Sequence, residues 1–511
     1  MLSLIYAYLL HYLLHIPCFG LYKKAGKNPF HVFIPLVQDF TLMEIIGKPK
    51  SQAYWGLIPY INFLFGLTWT TDICNSFGKR SLWQHVVAIF FGYIYFPIIG
   101  FDKTTKYEGP SHILDKQKKV SRSIFREWSD AIIFAVVAAT IIRTFVIEAY
   151  KIPTTSMEGS LLAGDFLFVS KLNYGARTPI TPVAFPFAHH TMPFGLGQAY
   201  SKIVQLPYHR LPGFEKVERE DVVVFNFPGD AYQFPERPVD KRENYVKRCV
   251  GIAGDVLELK DRQLFINGKA QPVYKNLQLS YWIKTNGTSL TLEQIKSVGL
   301  NWYNDFLGTN NGQGYSNEIG DPVAPSDQLL ADFNNYLYQF KDSVPALLTA
   351  EQIEKLKKFP NIQYITPMQH DALNGDWIFS KIANYYKWDL DNYGPLTIPK
   401  KGWTIDLSDK NNLYKYARTI ELYENAGAKI VEDKLFINGQ PASSYTFKQD
   451  YYWMMGDNRH NSLDSRFWGF VPEDHIVGKP LFVWLSKDSF NPFLESIHCN
   501  RMFRSVKSLC K

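Results

Sequence analysis

Apolar runs are concentrated in the first part of the chain, and four of them approach the length of a membrane-spanning helix. They lie at about 1–19, 53–71, 83–101 and 130–148. A helix needs roughly 20 apolar residues to cross about 30 Å of hydrocarbon. The pattern predicts four transmembrane helices. The first is expected to be retained rather than cleaved, because it contains His11 and His15 and lacks a small-residue cleavage site. Buried helices of a soluble domain are the alternative.

Basic residues between these runs predict their orientation. The loops at 20–52 and 102–129 are rich in Lys and Arg, whereas the short loop at 72–82 has only Lys79 and Arg80. Cytoplasmic loops of membrane proteins carry an excess of Lys and Arg. With four spans, both basic loops lie in the cytoplasm, and residues 149–511 lie on the other side of the membrane.

Beyond residue 150 the pattern becomes one of short strands bounded by Gly, Asp and Pro. Runs at 166–169, 222–225 and 256–259 are typical of β-strands. Asn-Gly pairs at 267–268 and 438–439 predict tight hairpins. Because their flanking sequences match closely, we expect both hairpins in one sheet, the alternative being a chance match.

Residues 275–375 differ from the strand-rich sequence around them, since they are rich in Asn, Gln, Tyr and Leu. Helical patterns appear there, one of them beginning with a capping-box sequence at Thr349. We therefore predict an inserted, partly helical subdomain.

Composition excludes some classes of function. The net charge is +7 and no block of Lys and Arg is long enough to indicate nucleic-acid binding. The five cysteines fit neither a zinc site nor a disulfide framework. Free thiols are the expectation, with a bridge between Cys499 and Cys510 left open. No phosphate-binding glycine loop is present, so no nucleotide is implied.

Ser156 and Lys247 are the candidate chemical groups. Ser156 follows directly on the last apolar run, within Ile-Pro-Thr-Thr-Ser-Met at 152–157. A serine hydroxyl needs a base to become a good nucleophile. Lysine can act as that base if burial lowers its pKa from about 10.4 toward the working pH. In an alternating strand Lys247 shares a face with Tyr245.

Three stretches in fixed order resemble bacterial type I signal peptidases, which are membrane-bound serine proteases. They read Pro-Thr-Thr-Ser-Met at 153–157, Tyr-Val-Lys-Arg at 245–248, and Gly-Asp-Asn-Arg continuing to Asp-Ser-Arg-Phe-Trp-Gly at 456–469. The strand at 221–225 also fits, and the resemblance covers roughly 149–272 and 430–490. The longer membrane part is similar to the Bacteroidetes branch of that family.

The resemblance implies a role for each matching residue. Ser156 would be the nucleophile and Lys247 the general base, while the Ser156 N–H and Thr154 hydroxyl would form the oxyanion hole. Ser462 would orient the lysine amine, and Asp464 would pair with Arg466 to hold the last loop. Shallow pockets for small substrate side chains would be lined by Ile152, Met157, Leu161 and Val246.

The implied protein has a membrane domain and a mainly β catalytic domain outside the cytoplasm. The predicted boundaries are 1–148 for the membrane domain, 149–272 and 431–490 for the two catalytic parts, 273–430 for the insertion and 491–511 for a basic tail. The resemblance also implies location in the bacterial inner membrane and action on exported preproteins that carry signal peptides. Membrane lipid would be a partner, and no cofactor would be needed.

Three departures from the family pattern stand near these motifs. Glu158 follows the Ser-Met pair and is expected to add a charge close to the site. His460 replaces an aspartate and is expected to be a hydrated loop residue, with a Ser–His arrangement as the alternative. Glu220 replaces a glycine before the strand. The pair His189 and His190 is expected to lie in a loop, because no acidic or thiol cluster accompanies it.

Two other classes of function compete with this interpretation. One is a non-catalytic membrane protein that binds exported chains with its β-domain, for which an intact Ser/Lys pair would have no use. The other is a self-cleaving Ser–Lys protein like the repressor family, whose members are soluble, whereas this chain is predicted to span a membrane.

Overall fold

The computed structural model divides into two compact units, Met1–Ala139 and Thr140–Lys511. It describes residues 16–57, 61–117, 135–136, 138–192, 195–234, 237–300, 305–306, 333–335, 337–370, 378–424, 427–432, 434–487 and 496–510.

The first unit is helical. Its α-helices are α1 (Phe19–Lys24), α2 (Val37–Ile46), α3 (Ile61–Ser76), α4 (Leu82–Phe101) and α5 (Ser111–Gln117), with 3-10 segments at Ile16–Cys18, Pro29–Phe33 and Lys50–Leu57. Leu42, Trp69, Cys74 and Phe96 lie in its buried core. Ser81 begins α4 with a capping box to Gln84, which satisfies backbone groups that a helix start leaves unpaired.

Within the part of the chain that the structure describes, no single helix is long and apolar enough to cross a bilayer. The two parts of α4, Trp83–Ile89 and Phe91–Phe101, meet the length and composition needed only as a pair, and they are bent by 116° at the break. Most of the predicted span at 1–19 and part of the one at 130–148 lie outside the described residues.

The second unit is mainly β. Its strands are β1 (Ile147–Lys151), β2 (Asp165–Ser170), β3 (Val222–Asn226), β4 (Asn244–Gly251), β5 (Val256–Lys260), β6 (Gln263–Ile266), β7 (Lys269–Ala270), β8 (Leu279–Thr285), β9 (Ser343–Leu348), β10 (Ile362–Pro367), β11 (Tyr393–Thr397), β12 (Thr404–Asp406), β13 (Ala428–Val431), β14 (Lys434–Ile437), β15 (Gln440–Pro441), β16 (Ser444–Thr446), β17 (Tyr451–Met455), β18 (Val471–Pro472) and β19 (Ile476–Ser486). The strands predicted at 166–169, 222–225 and 256–259 are confirmed as β2, β3 and β5.

Short helices connect these strands. They are α6 (Asp230–Gln233), α7 (Leu292–Ser297), α8 (Ala350–Leu356), α9 (Ile378–Tyr386), α10 (Lys410–Thr419), α11 (Ser465–Trp468) and α12 (Val506–Leu509), with 3-10 segments at Val239–Lys241 and Glu473–His475 and π segments at Ile142–Val146 and Ile420–Glu424. The capping box predicted at Thr349 is confirmed at the start of α8, where its hydroxyl accepts from the Gln352 N–H.

A seven-stranded antiparallel sheet forms the centre of this unit, in the order β1-β2-β19-β3-β4-β17-β18. Its central strand β3 is buried on both faces. Val222 and Val224 belong to one buried apolar cluster, which also contains Met157. Val223 and Phe225 belong to a second buried apolar cluster. The continuous run of apolar residues in β3 follows from this double burial, because a strand with one wet face alternates instead.

The two Asn-Gly hairpins are confirmed, but the prediction that they share one sheet is wrong. Both turns have positive φ at both residues, with Asn267 and Asn438 each at 52°, as a tight hairpin turn requires. The first turn joins β6 to β7 in a four-stranded sheet with β5 and β11, and the second joins β14 to β15 in a separate three-stranded sheet with β13. Strand partners are chosen by long-range packing, which a matching turn does not specify.

The region predicted as an insertion has two different structural parts. Strands β8, β9 and β10 form a three-stranded sheet that encloses, with α7 and α8, a small core of its own around Ile283 and Phe306. The part from α9 to β12 instead packs with Trp453 and Phe470, which follow the predicted insertion in the chain, in one large aromatic core.

The segment predicted as a basic tail includes a docked element. Val506, Leu509 and Cys510 are buried in the apolar core that contains Ile152 and Met157. All five cysteines are free thiols, including Cys499, which is exposed, and Cys510, which is buried.

Candidate active site

Ser156 lies on a turn that both neighbouring strands hold in place. The chain leaves β1 at Lys151, and Ile152 exchanges backbone hydrogen bonds with the start of β2, at 2.8 Å to Asp165 and 2.8 Å from Gly164. Leu161 N–H closes the turn on the Met157 carbonyl at 2.7 Å. Because Met157 and Leu161 are fully buried, they anchor the turn and leave Ser156 half-exposed at its surface.

Lys247 comes from β4 in the middle of the central sheet, opposite Val223 of β3. Its side chain is buried, and its Nζ lies 2.5 Å from Ser156 Oγ. This is the amine's one hydrogen bond among the described residues. The ring of Tyr245, two residues earlier on the same face of the strand, is centred 5.5 Å from Nζ. The fold therefore joins a half-exposed hydroxyl to a buried amine 91 residues later in the chain.

Burial lowers the pKa of Lys247 from 10.5 to about 8. The carboxylates of Asp464 and Asp457 oppose this shift, since negative charge favours the ammonium form. Both carboxylates are already paired, with Arg466 at 2.8 Å and with Arg248 at 2.5 Å. A pKa near 8 leaves roughly a tenth of the amine neutral at pH 7, which is enough for it to accept a proton.

Two donors lie beside the Ser156 hydroxyl. Thr154 is exposed, and its Oγ1 is 3.3 Å from Ser156 Oγ. Among the described residues the Ser156 N–H donates to no acceptor. A free backbone N–H and a threonine hydroxyl beside a nucleophile are the groups from which an oxyanion hole is built.

The loop at 456–466 holds the serine turn from the other side. Asn458 donates from its backbone N–H to the Ser156 carbonyl at 3.2 Å and from its side chain to the Thr155 carbonyl at 3.2 Å. Asn461 Nδ2 donates to Thr155 Oγ1 at 3.0 Å. Neither asparagine is among the site residues predicted from the sequence. In the sequence, only their position inside the Gly-Asp-Asn-Arg-His-Asn block indicated a role in the site.

Ser462 is buried beside the contact between this loop and the serine turn, but among the described residues it makes no hydrogen bond to the Lys247 amine. Its Oγ has no hydrogen-bond partner among the described residues. A Cβ on Gly456 would lie 2.3 Å from Ser462 Oγ and 2.4 Å from the Ser156 carbonyl oxygen. Only glycine therefore fits between the two serines, and the orienting role expected of Ser462 stays a prediction.

Asp464 and Arg466 form a fully buried ion pair. Arg466 donates to both carboxylate oxygens, from Nε at 2.9 Å and from Nη2 at 2.8 Å. Asp464 also accepts from the Gly456 N–H at 3.2 Å, and it caps α11. The pair therefore ties both ends of the loop together. Nearby, Arg248 holds Asp457 through Nε at 2.7 Å, which fixes the loop to β4.

The four residues expected to line substrate pockets belong to one apolar cluster, but they are not equally accessible. Ile152, Met157 and Leu161 are buried, whereas Val246 is half-buried beside them. The first three can form only the floor of a pocket. A separate polar cavity of about 200 Å³ lies elsewhere, lined by residues that include Arg143, Glu148, Lys171 and Asp240 but not Ser156.

Two expectations about the departures from the family pattern are wrong. Glu158 is mostly uncharged at pH 7, because burial and the nearby Asp305 carboxylate raise its pKa to about 8. His460 is not hydrated, since its side chain is only 1% exposed and lies 2.8 Å from Asp391. Asp391 of the inserted region contacts His460, and the charge of Asp305, from the same region, acts on Glu158. Local sequence could show neither.

The histidine pair at 189–190 lies in a loop, as predicted. His189 Nε2 is 3.0 Å from the Arg242 carbonyl and His190 Nε2 is 2.6 Å from the Lys241 carbonyl. Among the described residues, the one group of three side chains close enough to share a metal ion is His370, Asp391 and His460. These three, with Ser280, satisfy one another by hydrogen bonds, so nothing in their geometry calls for an ion.

A serine hydroxyl that faces a buried lysine amine on a β-scaffold is the arrangement of a serine hydrolase. The family described as signal peptidase, peptidase S26, matches this chain at residues 125–301 and 420–485. Residues 30–110 match a family of unknown function, DUF5684.

Several relatives resemble most of the chain. A Signal peptidase I from Buchnera aphidicola subsp. Schizaphis graminum is 26% identical over 68% of this chain and 70% of its own length. Proteins of the same name from Haemophilus influenzae and Helicobacter pylori are each 23% identical, over 73% and 74% of this chain and 74% and 91% of their own. The chain belongs to the peptidase S26 family of signal peptidases and is a serine peptidase.

Proposed function

We propose that this protein is a bacterial signal peptidase I that cuts signal peptides from exported preproteins with Ser156 as nucleophile and Lys247 as general base. The observation that carries the proposal is the 2.5 Å contact between the buried Lys247 amine and the Ser156 hydroxyl. The relatives named Signal peptidase I support the substrate class.

The neutral Lys247 amine takes the Ser156 proton as the hydroxyl oxygen attacks the carbonyl carbon of the scissile peptide bond. The carbonyl oxygen becomes an oxyanion, which accepts hydrogen bonds from the Ser156 N–H and Thr154 Oγ1. The resulting ammonium gives its proton to the leaving amine and releases the mature protein. Water, deprotonated by the same amine, then hydrolyses the acyl-enzyme. No step needs a cofactor.

Small side chains before the cut suit this site. Ile152, Met157 and Leu161 are packed in the core, so a pocket above them is shallow and apolar. Extra methylene groups on a substrate would clash with side chains that cannot move aside. We therefore expect cleavage after an Ala-x-Ala sequence.

The N-terminal unit would place this chemistry at the inner membrane, with the catalytic unit on the outer side. The apolar runs and the distribution of basic residues between them support this topology. Membrane association in bacteria is general to the family. The length of the N-terminal unit is the reason to propose the Bacteroidetes branch.

The test is cleavage of a preprotein with an Ala-x-Ala site, in lipid or detergent, by the wild-type protein and by Ser156→Ala. We expect the wild type to process that site and Ser156→Ala to lose at least about 10³-fold of the rate, since removal of a nucleophile leaves only binding and oxyanion stabilisation. Mass spectrometry of the released signal peptide identifies the bond that is cut.

Three outcomes would contradict the proposal in different ways. Equal cleavage by Ser156→Ala would show that another group is the nucleophile. Binding of preproteins without cleavage of any of them would favour the non-catalytic alternative. Cleavage of this chain itself, with no preprotein cut, would favour a self-cleaving protein.

A further inference from the structure

The inserted sequence lies directly against the loop that holds the serine turn. Gln278, the residue before β8, donates from its backbone N–H to the Asp457 carbonyl at 3.0 Å, and its carbonyl accepts from the Arg459 N–H at 3.0 Å. This short parallel pairing with Asn458 extends the insertion along the loop at 456–466. The insertion is therefore part of the support of the site.

His460 makes the next contacts along this boundary, and they determine its tautomer. Its Nδ1 accepts from the backbone N–H of Ser280 at 2.8 Å, so this nitrogen carries no proton. In the neutral ring the proton is then on Nε2, which donates to Asp391 Oδ1 at 2.8 Å. Ser280 Oγ lies 2.9 Å from the same Nδ1 and 2.7 Å from His370 Nε2.

Asp391 is itself held rigidly. Its second carboxylate oxygen accepts from Arg262 Nε at 3.1 Å, and its carbonyl accepts from the Arg262 N–H at 3.0 Å. Arg262 also donates to the Ser280 carbonyl at 3.1 Å. Both partners of the imidazole are thus fixed to the hairpin of β5 and β6 through one guanidinium.

On its own loop, His460 stands between the two asparagines that contact the serine turn. Asn458 binds the carbonyls of Thr155 and Ser156, and Asn461 binds the Thr155 hydroxyl. A ring clamped at both nitrogens limits how far the backbone between those asparagines can move. Displacing this stretch of backbone would change the position of the Ser156 N–H. Because catalysis depends on the placement of such groups to within about 1 Å, a small displacement would lower the rate.

We propose that His460 is a positioning residue, which holds the loop at 456–466 against Ser280 and Asp391 and through that loop fixes the geometry of the Ser156 turn. This inference rests on the proposed function and assigns the inserted sequence a part in it. His460 touches neither Ser156 nor Lys247 and acts through Asn458 and Asn461.

The test compares His460→Ala, His460→Asn and His460→Gln in preprotein cleavage, with His189→Ala, a histidine of a different loop, as the control. In His460→Ala we expect kcat to fall by about 10- to 100-fold with KM changed less than about twofold, as for a misplaced catalytic group. His460→Asn keeps an acceptor for the Ser280 N–H and should recover most of the loss. His460→Gln keeps a donor toward Asp391 and should recover less.

Hydrogen exchange gives a readout that does not need turnover. His460→Ala should increase amide exchange in peptides that cover 153–158 and 456–462, whereas His189→Ala should not. In the double variant His460→Ala/Asn461→Ala, the fold-loss in kcat should be smaller than the product of the two single-variant losses. Both side chains act through the same contact with the serine turn.

The inference is overturned if folded His460→Ala keeps wild-type kcat and unchanged exchange at 153–158, or if its only change is a lower unfolding temperature. If His460→Ala does not fold, equal kcat in His460→Asn, His460→Gln and wild type overturns it. Failure of the wild type to cleave would count against the proposed function alone, since the exchange comparison still decides whether His460 positions the serine turn.

Discussion

At the scale of single residues, Lys247 is the group whose properties depend most on the fold. In the sequence it is one of many basic residues. On β4 it is buried against Ser156 with its pKa lowered to about 8, and the two carboxylates nearest to it are neutralised by Arg466 and Arg248. If those carboxylates lacked their partners, the ammonium form of Lys247 would gain stability and less of the amine would be neutral at pH 7.

The pH dependence of cleavage follows from this pKa. Because only the neutral amine is a base, kcat/KM should rise about tenfold per pH unit below pH 8 and level off above it. The measurement is kcat/KM between pH 5.5 and 9.5. Lys479→Met, which removes a partly buried lysine paired with Glu215 and Asp221, should leave the midpoint unchanged. A profile that is flat over this range, or one with its midpoint near 10.5, would show that Lys247 does not titrate as the base.

Glu158 and His460 show the limits of residue-level prediction. Each looked polar and solvated in sequence, and each is buried by contact with distant sequence. Burial raises the pKa of Glu158 to about 8 and lowers that of His460 to about 4, so both favour the neutral form at pH 7. In both cases burial disfavours the charged form, which is also why the pKa of Lys247 is lowered.

At the scale of elements, the loop at 456–466 packs so closely against the serine turn that there is no space for a side chain at Gly456. Gly456→Ala would place a methyl group 2.3 Å from Ser462 Oγ and 2.4 Å from the Ser156 carbonyl. We expect a loss of about 1–3 kcal/mol in the free energy of unfolding from overpacking. We also expect kcat to fall at least about tenfold, because the turn must move. Both are measured on purified protein, by denaturant unfolding and by preprotein cleavage.

Gly268→Ala is the control for that substitution. Gly268 has φ of 76°, and a methyl group added there would meet nothing within 4 Å, so alanine strains the backbone without crowding the site. This substitution should lower the free energy of unfolding by about 1–2 kcal/mol and leave kcat unchanged. Equal kcat in the two variants would mean that Gly456 does not separate the serine turn from its support.

Elements also explain which hairpin prediction failed. Asn267-Gly268 and Asn438-Gly439 each form the expected turn, because the left-handed conformation is a local property of Asn and Gly. Their strands pair with β5 and β13 respectively, in different sheets. Both hairpins bury apolar side chains in the same aromatic core around Trp453, so neither the turn nor the burial of the hairpin specifies which sheet its strands join.

At the scale of the whole molecule, the C-terminal segment completes the core beneath the site. The Cys510 carbonyl accepts from Arg248 Nη2 at 2.9 Å, and the Leu509 carbonyl accepts from Asn276 Nδ2 at 2.8 Å. Val506 and Leu509 pack in the cluster that holds Met157 and Leu161. The end of the described chain and the serine turn therefore share one apolar core.

Removal of residues 505–511 should lower the unfolding temperature and reduce kcat. Burying each large apolar side chain contributes about 1.5–3 kcal/mol, and the deletion also leaves the buried Arg248 guanidinium with one carbonyl fewer. Thermal unfolding and preprotein cleavage measure the two effects. Lys507→Ala, at an exposed position of the same helix, should change neither. A deletion variant with wild-type stability would show that this segment does not support the core.

The sequence by itself determined the chemical groups, strands β2, β3 and β5, the Asn-Gly turns and the helix start at Thr349, since each depends on neighbouring residues. Only the tertiary structure decided that Ser156 and Lys247 meet at 2.5 Å, that Asn458 and Asn461 hold the serine turn, and that His460 is clamped by the insertion. Those facts depend on contacts between segments 69 to 306 residues apart. Burial at such contacts, and with it the pKa of each titratable group, is a property of the folded chain as a whole.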